Sequence, residues 1–195
     1  MAKRKEYLDL LKKKLKFDWS DEGLLEQALT HSSFTYESRQ NGLENNQRLE
    51  FLGDAVLELV ISDYLYRNHP GFDEGSLTKL RASVVCEASL ARAARALGLG
   101  PCLLMGKGEE RSGGRERLSI LADAFEALLG AVYLDQGLDK AAELAIQFLS
   151  PVLKDVLEGR LERDYKTELQ EYVQQRHGEQ VQYVILKEEG PDYHK

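Results

Sequence analysis

Apolar positions recur at helical spacing along most of the chain, so helices are the predicted elements. In MAKRKEYLDLLKKKL, Tyr7, Leu8, Leu11 and Leu15 share one side of an amphipathic surface helix. Ser20 stands in N-cap position before a helix through Leu24, Leu25, Ala28 and Leu29. THSS, Thr30 to Ser33, and the polar residues up to Asn46 read as loop. From Leu49 the chain is apolar on all sides through Tyr64 and Tyr66, which predicts a buried helix, and Pro70-Gly71 terminates it. EGSLTKLRASVVCEASLARAARALGLG predicts one long helix or two short ones ending at Gly98. MGKGEERSGGRER has four glycines, dense charge and no apolar spacing, and reads as loop. LSILADAFEALLGAVYLDQG is a second strongly apolar helix. DKAAELAIQFLSPVLKDVLEG predicts a helix pair broken near Ser150-Pro151.

The pattern changes after Gly159. DYKTELQEYVQQRHG predicts a polar amphipathic helix, VQYVILK a short strand with Val181, Tyr183 and Ile185 alternating, and EEGPD a turn. These last residues bury too little apolar surface to fold alone. The expected organisation is a helical domain over 1–158 and an incomplete second domain over 159–195.

Composition narrows the class. A chain of 195 residues with 43% hydrophobic and 30% charged residues describes a globular protein. No apolar run approaches the roughly 20 residues that span a bilayer, and the N-terminus lacks the apolar core of a signal peptide. Two cysteines, Cys86 and Cys102, are too few for a disulfide framework. A cytoplasmic location with no membrane partner is expected, and Cys86 is expected to be a small core residue. The net charge of −7 argues weakly against a nucleic-acid partner, but the charge is segregated. Residues 1–17 hold seven Lys/Arg against Glu6 and Asp9, and residues 76–117 hold eight against four Glu. A basic surface beside an acidic site is compatible with that pattern, as are ordinary solvated helix faces.

The two apolar helices share an oddity. Glu50 and Asp54 lie four apart in the first, and Asp123 and Glu126 lie three apart in the second, so each pair occupies one helix face. Isolated buried carboxylates neutralise, pair or bind metal. Neither apolar run contains Lys or Arg; Arg48 sits at the edge of the first. Oxygen ligands without His or Cys favour Mg²⁺, with Mn²⁺ as the alternative, over zinc. No Glu-x-x-His pair exists, which removes the di-iron bundle. Gly53 and Gly130 weaken these helices by up to about 1 kcal/mol each relative to Ala; close approach of another backbone would account for them.

RLEFLGDAVL, at Arg48 to Leu57, resembles the central motif of the ribonuclease III family of double-stranded-RNA endonucleases. THSS, DEGSLTKLRA and ILADAFEALLGAVYLD occur around it in the family's order. KTELQEYVQ with VILKEEGPD is similar to the opening of the double-stranded-RNA-binding domain that follows in that family. The resemblance implies an all-α endonuclease domain forming a homodimer, followed by the start of an α+β RNA-binding domain. It implies metal-dependent cleavage of double-stranded RNA to 5′-phosphate and 3′-hydroxyl ends, in processing of ribosomal RNA precursors and other structured transcripts, with no organic cofactor. Asp54 and Glu126 match the family's catalytic positions; Glu50, Asp123 and Glu126 match its metal ligands. The alternative is a non-cleaving relative that binds structured RNA through the same fold, for which four retained carboxylates would be superfluous.

Two departures stand out. Gln47 replaces the family's usual Glu, which keeps the shape but removes a charge at an outer-shell or interface position. Glu74 matches another acidic family position near the subunit boundary. Tyr193 stands where the family often has a His that enters the RNA minor groove, with His194 one place late. Lys79, Arg81, Arg92 and Arg95 are candidates for a phosphate-facing stripe, and Thr167 and Gln170, with Glu171, match the helix that reads 2′-hydroxyls. For each, an ordinary polar helix face is the competing reading. His31 is expected to fix its loop by a hydrogen bond, since no catalytic triad is evident.

Overall fold

The structure, a computed structural model, describes residues 2–38 and 44–158 together with Val173 and Arg176. The chain divides into two units, Met1–Glu158 and Gly159–Lys195. Apart from Val173 and Arg176, which are helical, the predicted tail helix and strand, with Thr167, Gln170, Glu171 and Tyr193, lie outside the described residues.

The described residues of the first unit are helical with short connections and no named strand: α1 (Ala2–Leu15), α2 (Glu22–Ala28), α3 (Ser32–Ser38), α4 (Gln47–Asn68), α5 (Glu74–Val84), α6 (Glu87–Leu97), α7 (Lys107–Arg111), α8 (Leu118–Gln136) and α9 (Leu138–Leu157). Single 3-10 turns lie at Gly100–Cys102 and Gly114–Glu116. The α8 helix is the hub, packed by α2, α4, α6 and α9. Its Ala124, Phe125, Ala127, Leu128, Leu129, Ala131 and Val132 are fully buried. Burial of a Leu- or Phe-sized side chain contributes roughly 1.5–3 kcal/mol, so this single helix anchors the core.

Several boundaries differ from the expected ones for local reasons. Asp21, not Ser20, caps α2, its Oδ1 accepting the Gly23 N–H at 2.8 Å. The THSS segment opens a helix rather than a loop, and the charged loop contains α7. Both helices are short and are held by the contacts between them: Glu37 of α3 accepts the Lys107 and Gly108 N–H groups at 2.8 and 3.1 Å, capping α7. Those two amides hold the Glu37 carboxyl below its ordinary range. The segment 74–97 is two helices, broken at Val85-Cys86, and Cys86 is exposed at the N-cap of α6; the buried cysteine is Cys102, whose thiol burial pushes up to about 11. The α9 helix runs through Pro151 instead of breaking there. A proline leaves the carbonyl four residues back without its donor, and here the Ser150 hydroxyl donates to that Gln147 carbonyl at 3.1 Å.

The α1 helix lies as expected, with Leu11 and Leu15 buried and Tyr7 and Leu8 half-buried. Its Lys14 ammonium donates to the Ala96 and Leu97 carbonyls at 2.8 and 3.0 Å, capping the C-terminus of α6. The α4 helix departs most from expectation. Leu49, Val56, Leu57, Val60, Ile61 and Leu65 are buried, but Phe51 is 81% exposed, Tyr66 74% and Leu59 54%. Its inner face belongs to the core, and its outer face carries apolar side chains with no cover from the described residues.

Candidate metal centre

The crossing of α4 and α8 is made by two glycines. A Cβ on Gly53 would overlap the carbonyl of Glu126 and stand 3.0 Å from the Gly130 nitrogen; a Cβ on Gly130 would overlap the Leu49 carbonyl. Backbone therefore touches backbone, and the closeness asked of these glycines is realised within one chain. That contact carries Glu50, one turn before Gly53, onto the turn of α8 that bears Asp123 and Glu126.

Carboxylate oxygens of Glu50, Asp123 and Glu126 all lie within 4.8 Å of one another, and each residue is half-buried. Burial first, then Asp54, Asp123 and Glu50, push the Glu126 carboxyl up to about 8. Burial, Asp123 and Asp54 raise Glu50. Asp123 is raised by burial, lowered by His31 and raised by Glu87. Among the described residues no lysine or arginine enters this balance. Such a group either holds protons or exchanges them for a cation. Adjacent ligands about an octahedral Mg²⁺ stand roughly 3 Å apart, a spacing inside the 4.8 Å that bounds these oxygens. The donor set, three carboxylates without thiol or imidazole, fits a hard divalent ion.

Asp54 is exposed at the rim, one turn beyond Glu50, and its charge acts on both Glu50 and Glu126. The four carboxylates singled out from spacing thus belong to one neighbourhood, three in the cluster and one at its solvent edge. Gln47 is exposed at the first position of α4, its N–H bonded to Asn45 Oδ1 at 3.1 Å, outside the three-carboxylate group. Glu74 is exposed at the start of α5 and accepts from the Thr78 hydroxyl at 3.2 Å. It lines a cavity of about 510 Å³ between α4 and α5 with Tyr66, Phe72, Leu77 and Arg81.

Of the basic candidates, Arg81 pairs with Glu58 at 2.7 Å and with Ser62 Oγ at 2.9 Å. Arg92 pairs with Asp155 at 2.8 Å, Arg95 with Glu116 at 3.6 Å, and Lys79 is exposed on α5. A phosphate would have to compete with these carboxylates for the three arginines. His31 does fix its loop as expected, through Ser33. Sequence reasoning misses that His31 and Glu87 act electrostatically on Asp123; both come from other elements, and no spacing rule connects them to α8.

The ribonuclease-III-like family profile matches residues 21–153. The chain belongs to the ribonuclease III family. It is 78% identical over 195 residues to Ribonuclease 3 of Pelotomaculum thermopropionicum, covering all of this chain and 81% of that protein. It is 60% identical over the same span to Ribonuclease 3 of Desulforamulus reducens, covering 79% of it. A solved nuclease domain of ribonuclease III from Campylobacter jejuni, described for flexibility in a region involved in dimer formation, aligns with a TM-score of 0.68 and 43% identity. That alignment covers 74% of this chain and 96% of that one. Membership makes the chain an endoribonuclease with an all-α nuclease fold. No described helix is long and apolar enough to cross a membrane.

Proposed function

We propose that the chain is a divalent-metal-dependent endoribonuclease that hydrolyses double-stranded RNA to 5′-phosphate and 3′-hydroxyl ends, acting as a homodimer. The observation that carries this is the cluster of Glu50, Asp123 and Glu126, with no lysine or arginine among the described residues to neutralise it. These three residues hold the ion, Mg²⁺ or alternatively Mn²⁺. When bound, such an ion supplies water activation and neutralises charge on the phosphoryl oxygens and the leaving group. Asp54, at the solvent rim, faces the incoming phosphodiester, and its carboxylate orients and takes a proton from the attacking water. That water's oxygen bonds to phosphorus, the bond to O3′ breaks, and O3′ takes up a proton from solvent water to leave as a hydroxyl, balancing the proton that Asp54 removes and later returns to solvent. Glu126 aligns the reaction from the buried side, so Asp54 and Glu126 carry the catalytic roles.

The dimer is supported by the uncovered apolar face of α4. It also supplies a second carboxylate cluster, which cutting both strands of a duplex requires. Gln47 and Glu74, both exposed, then lie toward the site's outer shell or the subunit boundary. We assign residues 1–158 to the endonuclease domain and 159–195 to part of a double-stranded-RNA-binding domain, a boundary supported by the division of the chain after Glu158. In that part Thr167 and Gln170 contact RNA, while Lys79, Arg81, Arg92 and Arg95 contact phosphates from the first. On this reading ribosomal RNA precursors and other structured transcripts in the cytoplasm are the substrates, and no organic cofactor is needed.

The test is cleavage of a long RNA duplex in Mg²⁺, compared with single-stranded RNA and duplex DNA. Duplex RNA alone is expected to be cut, and Glu126→Gln is expected to abolish cutting while leaving fold and assembly intact. Near-wild-type cleavage by that variant would remove Glu126 from the site.

A further inference from the structure

The α7 helix has five residues, too few to form alone, and its N-cap, Gly106, has no side chain to cap it. Glu37 of α3 supplies the cap. Its Oε2 accepts the Lys107 N–H at 2.8 Å and its Oε1 the Gly108 N–H at 3.1 Å. The Gly106 N–H goes to Ser33 Oγ at 2.9 Å, so α3 meets three successive amides. Glycine is required for that approach, since a Cβ at Gly106 would overlap Glu37 Oε1 and stand 2.8 Å from the Ser33 carbonyl oxygen. The far end of α7 is fastened as well. Arg117 reaches back to Glu109 at 2.8 Å and to Ser112 Oγ at 3.1 Å. Arg117 is the N-cap of α8, and Asp123 follows six residues later, about 9 Å along the axis. The α3–α7 edge therefore adjoins the end of α8 that bears the metal centre.

Residues 107–117 carry four cations, and the fold uses them differently. Arg115 donates to the Gly100 and Leu103 carbonyls at 2.9 and 2.8 Å and pairs with Glu110 at 2.8 Å. Arg117 is held as described. Lys107 and Arg111 are exposed, and their side chains have no hydrogen bond or ion pair among the described residues. Four apart on one helix, they share a face. Both Glu37 oxygens are engaged by amides, which hold its carboxyl low, and the two cations act on it only through space. Arg81, Arg92 and Arg95, by contrast, already face carboxylates. A phosphate meets Lys107 and Arg111 without displacing such a partner.

We propose that the α3–α7 edge is a phosphate-binding element of this domain. Lys107 and Arg111 contact RNA phosphates that flank the scissile one, and Glu37 is the positioning residue that fixes them. Such contacts set the register of a duplex without reading its bases, which suits a substrate recognised by shape. The inference rests on the double-stranded-RNA reading, and its test separates the two. KM and kcat for cleavage of an RNA duplex in saturating Mg²⁺ are measured with the full chain across a salt series, with melting temperature alongside. A wild-type chain that does not cut the duplex overturns that reading, and this inference with it.

Given cutting, Lys107→Ala and Arg111→Ala are expected to raise KM with kcat unchanged, the mark of lost uniform binding. A slope of about −0.9 in log affinity per phosphate contact makes each loss about eightfold at 0.1 M salt and reduces the salt slope by about one. Unchanged KM and slope in both variants overturns the proposal. Glu37→Gln is sharper, because charge and positioning oppose each other there. Removing a negative charge beside two phosphate-binding cations would by itself lower KM. A glutamine, however, offers one acceptor oxygen to two amides and turns its NH₂ toward the other. It is expected to raise KM about eightfold or more and to reduce the salt slope. A lowered KM overturns the positioning role. So does a lower melting temperature with KM and slope at their wild-type values, the result for a Glu37 that only stabilises the fold. Should Glu37→Gln not fold, Glu37→Asp, one methylene short of the amides, decides in its place by the same readings.

Discussion

The α4 and α8 helices are built from similar sequences and meet opposite fates. Each is strongly apolar, each carries a carboxylate pair on one face, and each has a glycine at the crossing. Yet α8 is buried around almost its whole circumference, whereas α4 leaves Phe51, Ala55, Leu59 and Tyr66 exposed along one side. Apolar periodicity alone reports that a helix is covered, not by what. The α8 surface is covered by its own chain; the α4 surface has an inner half packed on α8 and an outer half that no described residue covers, the face the proposed dimer would use. A contiguous exposed apolar stripe on a globular domain marks an interaction surface.

The difference breaks most severely at the shared glycine. Gly53→Ala drives a methyl group into the Glu126 carbonyl, a backbone atom that cannot rotate away. Overpacking of a tight core costs about 1–3 kcal/mol and sometimes more, and a backbone collision belongs at or above the upper end. Denaturant unfolding is therefore expected to show a loss of about 3 kcal/mol or greater, with loss of metal binding in whatever remains folded. Gly71→Ala, where an added Cβ meets nothing within 4 Å, is the control and should change stability by less than about 0.5 kcal/mol. Equal effects from the two substitutions would show that the helices do not need this contact.

On the outer face the expected damage is to assembly and not to folding. Light scattering at micromolar concentration should give about twice the chain mass of 22.1 kDa. Phe51→Asp places a charge at the first residue of the stripe, and a charge desolvated without a partner costs several kcal/mol. It is expected to yield a monomer whose melting curve stays cooperative, because Phe51 contributes almost nothing to the core of one chain. A dimer that survives this change would place the interface elsewhere.

How much of this contrast is legible in the sequence depends on range. The pairs 50/54 and 123/126 follow from helical spacing, and the end of α4 follows from Pro70-Gly71. That the pairs meet is signalled only by the two glycines, because periodicity specifies faces and not partners. The α3 and α7 helices escape sequence reading because Glu37 and Ser33 hold them through contacts with residues 106–108, and neither is long enough to show a period. Cys86 lies outside the core that its residue type predicts, because hydrophobic character says nothing of a cap position. The break expected at Pro151 fails for a local reason, a hydroxyl supplying what the proline lacks. The outer face of α4 reads as buried because no sequence mark separates a core residue from an interface residue.

The carboxylates differ between the helices as their burial does, and this predicts a pH dependence. Glu126 of α8 is raised from an ordinary 4.5 to about 8 in the folded, metal-free chain, with Glu50 and Asp123 shifted in the same direction. A raised carboxyl binds more protons folded than unfolded, so its contribution is fully present below about pH 4.5 and is lost as pH rises through 8. The carboxyls of Glu37, Asp73, Asp135 and Glu143 are lowered and act in the opposite sense, but only at acid pH. In EDTA, melting temperature should therefore fall between about pH 5 and 8.5. Saturating Mg²⁺ should restore it, more at the alkaline end, where fewer protons compete for the site. Glu126→Gln should flatten the EDTA profile. Asp54→Asn should flatten it less, since Asp54 acts only through its charge on Glu126 and Glu50. A profile unchanged by Glu126→Gln would mean that the cluster does not titrate as described.

The smallest expected effect is also the sharpest control on the comparison. Leu59 of α4 and Leu134 of α8 are exposed to the same degree, 54% and 53%, so burial within one chain predicts equal tolerance of a polar replacement. The stripe predicts otherwise. Leu59 lies about two helical turns from Phe51 on the outer face of α4, whereas Leu134 sits near the end of α8, away from any run of exposed apolar residues on that helix. Partial burial of one leucine in an interface is worth about 1 kcal/mol. A symmetric dimer carries the change twice, about 2 kcal/mol in all, so Leu59→Gln should raise the dimer dissociation constant roughly thirtyfold, since about 1.4 kcal/mol is tenfold. Leu134→Gln should leave both dissociation and melting within about 0.5 kcal/mol of wild type. Sedimentation equilibrium across a dilution series resolves the two. If both substitutions are silent, the stripe ends short of Leu59 and the interface is confined to the region of Phe51; if both weaken the dimer equally, the exposed end of α8 belongs to the interface too, and the two helices are less different than they look.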